Sequence, residues 1–194
     1  MTLPNALSFS RVLLAPVIGY LVVNGNWGMA LGSFVVASVT DFLDGFIARA
    51  WNQRTIFGTV LDPAADKLLM STLTISLAYT GLLPLPLAAL IFARDFGLII
   101  AGFYFRWASL PHPKTFARYW DFKLPSAEVK PSFISKVNTA LQLVLMGATI
   151  AAPVFGFVGH PALQVLWYTV AATTVSSGLS YIVFAKDAIV YIKK

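Results

Sequence analysis

Asp41-Phe42-Leu43-Asp44-Gly45-Phe46-Ile47-Ala48-Arg49, then eight intervening residues and Gly58-Thr59-Val60-Leu61-Asp62-Pro63-Ala64-Ala65-Asp66, decide how this chain is read. Apolar runs flank both halves, and four of the eight acidic residues fall inside them. On a helix Asp41 and Asp44 stand at i and i+3, with Gly45, Ala48 and Arg49 close to the same face. Gly58, Asp62 and Asp66 stand at i, i+4 and i+8 and form a single stripe. A short connection makes the two helices antiparallel neighbours, so the stripes are expected to face each other. Carboxylates inside apolar helices are costly, which makes them functional candidates.

Working outward, 58% of the 194 residues are hydrophobic and only 11% are charged. A soluble domain carries about a quarter charged residues, so this surface is expected to face lipid. Six stretches reach the roughly 20 residues that cross a bilayer as a helix: 6–24, 27–48, 63–82, 85–107, 134–155 and 162–184. None shows the alternation of barrel strands. The expected fold is all-α, one polytopic membrane bundle of six transmembrane helices spanning residues 1–194 as a single domain. There are no cysteines, which excludes disulfides and thiolate metal sites.

The charges are one-sided. The connections Asn24-Gly25-Asn26, Gly81 through Pro86, and Gly156 through Pro161 hold no Lys, Arg, Asp or Glu, and His160 is their one titratable side chain. The other connections and the tail hold Arg49, Arg54, Lys67, Arg106, Lys114, Arg118, Lys123, Lys130, Lys136, Lys186, Lys193 and Lys194. With six spans both termini fall on this basic side, which the positive-inside rule makes cytoplasmic, or matrix in a mitochondrion. The net charge of +6 is scattered through apolar runs, as topology signals and headgroup contacts are, and not gathered as a nucleic-acid surface. Segment 108–133 interleaves Lys114, Arg118 and Lys123 with Phe116, Tyr119, Trp120 and Phe122, the pattern of an interfacial stretch. Met1 through Asn5 hold no basic region ahead of an apolar core, so no targeting segment is expected there.

Four carboxylates in one apolar place repel one another and need neutralising. The cations read as nearby are Arg49, Arg54 and Lys67. Oxygen ligands without His or Cys favour hard cations such as Mg²⁺, Mn²⁺ or Ca²⁺. Four aspartates can hold two such ions, the arrangement that clamps a phosphoryl group during in-line displacement. Gly45, Ala48 and Gly58 leave room for a phosphate ligand, and Arg49 offers it a bidentate contact. From the residues alone three readings stay open: a phosphoryl-transfer enzyme, a proton- or cation-coupled transporter, and a structural clamp of helix ends. His112, in Leu110-Pro111-His112-Pro113, lies on the basic side where it can touch headgroups, whereas His160 reads as a loop residue. Gly28 and Gly32 are spaced for close helix packing.

The spacing D-x-x-D-G-x-x-A-R, eight residues, then G-x-x-x-D-x-x-x-D is similar to the signature of the CDP-alcohol phosphotransferases, and every fixed position is matched from Asp41 to Asp66. The family's six-helix topology covers the whole chain. Within the family, Thr40 through Arg49, Leu61 through Lys67 and Lys130 through Ala140 resemble the eukaryotic-type, mitochondrial cardiolipin synthases. Relatives that use glycerol 3-phosphate often read Gly-Lys-x-Lys-Thr where this chain reads Ser135-Lys136-Val137-Asn138-Thr139.

The resemblance implies CDP-diacylglycerol as donor, phosphatidylglycerol as acceptor, and cardiolipin and CMP as products. The family rival is a phosphatidylglycerophosphate synthase-like enzyme that uses glycerol 3-phosphate. It also implies two divalent ions, Mg²⁺ or Mn²⁺, on Asp41, Asp44 and Asp62, with Asp66 as the base and a sharer in ligation. Asn5 and Arg11 resemble positions that line the nucleotide site, alongside Gly45, Ala48, Arg49 and Gly58. For the acceptor phosphodiester the candidates are Arg94, Lys136, Asn138, Arg118, Arg106 and His112. Arg94 stands beside Asp95, so an ion pair between them is the competing role. A homodimer in the mitochondrial inner membrane, with site and termini on the matrix side, completes the expectation; a bacterial chain would place them in the cytoplasm.

Overall fold

The computed structural model describes residues 3–50, 56–110, 115, 127–129, 132–183 and 189–191. For residues 3–6, 42–50, 56–60, 127–129, 182–183 and 189–191 it describes the backbone alone. Six helices carry these residues: α1 (Leu3–Val23), α2 (Trp27–Ala50), α3 (Ile56–Tyr79), α4 (Leu85–Ser109), α5 (Phe133–Phe155) and α6 (Pro161–Val183). Two three-residue strands, β1 (Ala127–Val129) and β2 (Ile189–Tyr191), pair antiparallel with Glu128 opposite Val190. The helical class expected from the sequence stands, and the small ribbon is an addition to it. Strands of three residues are too short to show a period of two in the sequence.

Helix α3 begins seven residues before the expected span, at Ile56 and not at position 63. Pro63 looks like a helix start because it donates no backbone hydrogen bond, yet it lies within the helix. The longer α3 puts Gly58, Asp62 and Asp66 on one continuous helix, as their spacing requires. Helices α4 and α5 are each long and apolar enough to cross a membrane. Large apolar side chains stand exposed along several helices, among them Tyr20, Val36, Ile100, Phe133 and Val165. Such surfaces are unfavourable in water and suit lipid.

Three of the helices end alike. At α1 the Asn26 amide donates to Leu21 O (2.9 Å) and Gly25 to Val22 O (3.1 Å). At α3, Leu82 donates to Leu77 O (3.0 Å) and Gly81 to Ala78 O (3.1 Å), and at α5, Phe157 donates to Ala152 O (3.0 Å). Gly25, Gly81 and Gly156 take φ of 73°, 75° and 73°, the left-handed conformation that this cap needs. These are the three connections without Lys, Arg, Asp or Glu. His160 caps the start of α6 by accepting the Ala162 amide on Nδ1 (3.2 Å), which gives the loop histidine a local task.

The chain forms two compact units, Met1–Ala88 with Leu143–Leu166, and Ala89–Gln142 with Trp167–Lys194. In the first unit α1 packs mainly on α3 and next on α2. Its buried stripe is Ser8, Arg11, Ala15, Ile18 and Val22, a strict three-four spacing that begins polar and turns apolar. Opposite it run Ala65, Leu69, Leu73 and Leu77 of α3. A Cβ on Gly19 would come within 2.5 Å of Thr72 Cγ2, so α1 and α3 meet closely there. Gly19→Ala is expected to cost about 1–3 kcal/mol, read as a lower thermal midpoint. Adding Thr72→Ser, which removes that methyl, should restore most of the loss; a single variant that melts like wild type would disprove the close fit. Gly28 and Gly32, spaced for helix packing, instead have open space where a Cβ would be.

Candidate active site

In the first unit the polar end of the α1 stripe meets the acidic residues of α2 and α3. Arg11 is 1% exposed, and its Nη1 lies 2.5 Å from Asp41 Oδ1 of α2. The same nitrogen donates to Asp66 Oδ1 of α3. One turn earlier, Ser8 Oγ donates to Asp62 Oδ1. Asp41 and Asp66 keep about half of their side-chain surface exposed, so each has an oxygen face left for a ligand.

By spacing, the two acidic stripes can face each other. Between Asp41 and Asp66 the observed link is α1, whose guanidinium bridges both carboxylates. The sequence places Arg11 at the nucleotide site and not among the cations beside the aspartates, where the structure also puts it. Its signal was available: Ser8 and Arg11 are polar residues at three-residue spacing that open an otherwise apolar stripe. Their partners lie 30 to 55 positions away, which local spacing does not encode.

The Asp44 carboxylate lies outside the described side chains, as do those of Asn5 and Arg49; Gly45, Ala48 and Gly58 are described by backbone alone, in α2 and α3. Among the described residues no three acidic or histidine side chains form a ready ion site. The donor chemistry nevertheless fits a hard divalent cation. The ligands are carboxylate oxygens, and at these contacts three carboxylates are set against one guanidinium and one neutral hydroxyl.

The second unit holds a separate polar cluster. Arg94 of α4 is 8% exposed. Its Nη1 donates to Asp95 Oδ1 (2.8 Å), and its Nη2 to Ser135 Oγ of α5 (2.5 Å) and Ser177 Oγ of α6 (3.0 Å). The ion pair with Asp95, the competing role, is therefore made. Asn138 of α5 is fully buried and accepts on Oδ1 from Thr173 Oγ1 (2.8 Å) and Thr174 Oγ1 (3.0 Å). Gln142 Nε2 donates to Thr174 Oγ1 (3.4 Å), and Ser132 and Ser180 hydroxyls lie 3.3 Å apart. Ser132 meets Ser180, and Asn138 and Gln142 meet Thr173 and Thr174 earlier on α6, the order of an antiparallel pair linked by hydroxyls and amides. In this cluster Arg94 Nε and Asn138 Nδ2 make no hydrogen bond among the described residues.

Of the acceptor candidates, the structure brings Arg94 and Asn138 to the same α6 face. Lys136 is exposed on α5, on a different side from Asn138, and Arg106 lies partly exposed in the last turn of α4. Arg118 and His112 lie outside the described residues. The polar partners Ser135, Thr173, Thr174 and Ser177 are no site candidates by sequence, because hydroxyls on an apolar helix look neutral. Their three- and four-residue spacing was the available sign.

A family model described as CDP-alcohol phosphatidyltransferase matches residues 1–182. The chain is 49% identical over 193 residues to a human protein named cardiolipin synthase (CMP-forming), covering 99% of this chain and 64% of the relative. A Drosophila melanogaster protein named probable cardiolipin synthase (CMP-forming) is 46% identical over 195 residues, covering 100% and 61%. A chloroplastic CDP-diacylglycerol–glycerol-3-phosphate 3-phosphatidyltransferase of Oryza sativa subsp. japonica is 37% identical over 186 residues, covering 93% and 56%. The chain thus spans less than two thirds of the length of each of these relatives.

Proposed function

The chain belongs to the CDP-alcohol phosphatidyltransferase family, and from that premise we propose that it is a membrane enzyme that transfers the phosphatidyl group of CDP-diacylglycerol to phosphatidylglycerol, forming cardiolipin and CMP. The observation that carries this reading is the meeting of Asp41, Asp62 and Asp66 at the polar end of α1, with two carboxylates half exposed. The choice of acceptor rests on the higher identity to cardiolipin synthases than to the rice glycerol-3-phosphate enzyme. Exposed apolar helix faces support the membrane setting. The resemblance extends the reading to six crossings, a homodimer and the mitochondrial inner membrane, with the site on the matrix side.

The reaction is a displacement at phosphorus. The acceptor hydroxyl oxygen forms a bond to the phosphorus that carries diacylglycerol, while the bond from that phosphorus to CMP breaks. The electron pair leaves with CMP, and the hydroxyl proton passes to the Asp66 carboxylate. Asp41, Asp44 and Asp62, with Asp66 sharing, would hold two Mg²⁺ or Mn²⁺ ions, which supply neutralisation of the diphosphate charge when bound. Arg49 and Arg11 would pair with the donor phosphates, and Asn5 would line the nucleotide. Small Gly45, Ala48 and Gly58 leave space beside the helix backbones. For the acceptor phosphodiester, Arg94 and Asn138 are the candidates, each with one buried donor that makes no hydrogen bond among the described residues.

Purified chain in detergent, supplied with CDP-diacylglycerol and Mn²⁺, tests the reading against each acceptor. Phosphatidylglycerol is expected to yield cardiolipin and CMP, with both lost on chelation of the metal. Lipid product from glycerol 3-phosphate alone would overturn the acceptor. No CMP from either acceptor, together with ion flux in vesicles, would replace the enzyme with a transporter.

A further inference from the structure

Arg11 has a consequence for ion binding that rests on the metal reading proposed above. Its Nη1 engages Oδ1 of Asp41 and Oδ1 of Asp66 at once, from a side chain that is 1% exposed. Those two oxygens come from different helices and are drawn to a single cationic atom. The arrangement is what a bound cation produces, with a guanidinium in the cation's position. A divalent ion held by Asp41 and Asp66 needs oxygens from the same pair. Placed on their remaining oxygen faces, it would still lie close to the guanidinium, and the two like charges repel. Asp62 differs, since it is held by the neutral hydroxyl of Ser8, which leaves an ion free to approach.

We propose that Arg11 is a positioning residue that serves as the internal counter-cation of the aspartate cluster, and that divalent ions and the Arg11 guanidinium compete for Asp41 and Asp66. The guanidinium keeps α2 and α3 drawn onto α1, and an arriving ion releases it. Once released, it lies beside the carboxylate site with its charge unspent, free to pair with a diphosphate. Ion entry and donor capture are then joined through one side chain. A residue that merely organised the carboxylates as ligands would have the opposite effect on ion affinity, because removing it would scatter them.

Mn²⁺ binding to the full chain in detergent, followed by electron paramagnetic resonance with no lipid present, separates the two roles without measuring turnover. Arg11→Gln removes the charge, and its Mn²⁺ dissociation constant is expected to fall by at least about tenfold, the factor expected when one charge-assisted hydrogen bond stops competing. Arg11→Lys keeps the charge and is expected to stay within about threefold of wild type. Unchanged or weaker Mn²⁺ binding in Arg11→Gln overturns the inference while leaving the metal reading in place. Failure of wild type and variants alike to bind Mn²⁺ would overturn both. If Arg11→Gln does not fold, wild type labelled with [¹⁵N]arginine carries the test. Its Arg11 guanidinium protons, identified by their loss in Arg11→Lys, should pass from slow to fast exchange as Mg²⁺ is added. Protection that survives saturating Mg²⁺ shows that Arg11 does not yield.

Discussion

Asp66→Asn is expected to lower turnover of CDP-diacylglycerol by about 10²–10⁴-fold, the range lost when a positioned general base is removed. Binding of the CDP-lipid should change far less. Asparagine keeps the side-chain shape and an Oδ1 that can still accept from Arg11, so α1 and α3 stay tied. The other proposed ion ligands, Asp41, Asp44 and Asp62, are untouched by the substitution. On the proposed mechanism the variant lacks the group that would receive the proton of the lipid hydroxyl, a proton held too tightly to leave unaided at neutral pH. Released CMP measures the loss, and retention of the CDP-lipid on purified protein measures binding. Turnover near the wild-type level would remove Asp66 from the role of base. Loss of binding in parallel with turnover would make it chiefly an ion ligand.

Arg94→Gln has the largest expected effect on stability, about 3–5 kcal/mol, the usual cost of removing one partner from a buried ion pair. Asp95 loses its arginine, and Ser135 and Ser177 lose a shared donor that joins α4 to α5 and α6. Lys136→Gln, on the exposed side of α5, should stay within about 0.5 kcal/mol of wild type. Arg94→Gln combined with Asp95→Asn should recover part of the loss, because the two effects are coupled. Denaturation midpoints in detergent decide the matter. Should Arg94→Gln melt like wild type while the KM for phosphatidylglycerol rises, the arginine's main partner would be the acceptor and not the bundle.

The sequence disclosed the helices because apolar length and turn residues are local properties. Asn24-Gly25-Asn26 and Gly81 through Pro86 marked reversals that the structure closes with left-handed glycines. Apolar length alone starts the third span at position 63, whereas α3 begins at Ile56 and so includes the polar stripe from Gly58 to Asp66. The acidic residues were legible from spacing, but the cation among them was not. Arg11 lies 30 positions from Asp41 and 55 from Asp66, and its pairing depends on how α1 packs. The hydroxyl ladder of α6 was hidden for another reason. Ser and Thr bond to their own helix as readily as to a neighbour, as Thr173 does with both Thr169 O and Asn138 Oδ1.

The glycine caps bear on how such a chain enters a bilayer. Each joins two consecutive apolar helices through a reversal that carries no Lys, Arg, Asp or Glu and whose amides are already bonded to the helix they close. A turn of that kind can be drawn through hydrocarbon with little loss of hydration, whereas the basic connections cannot follow it. On the six-crossing topology proposed above, apolar helices joined by such turns can enter the lipid two at a time, while the basic connections stay on the side of synthesis.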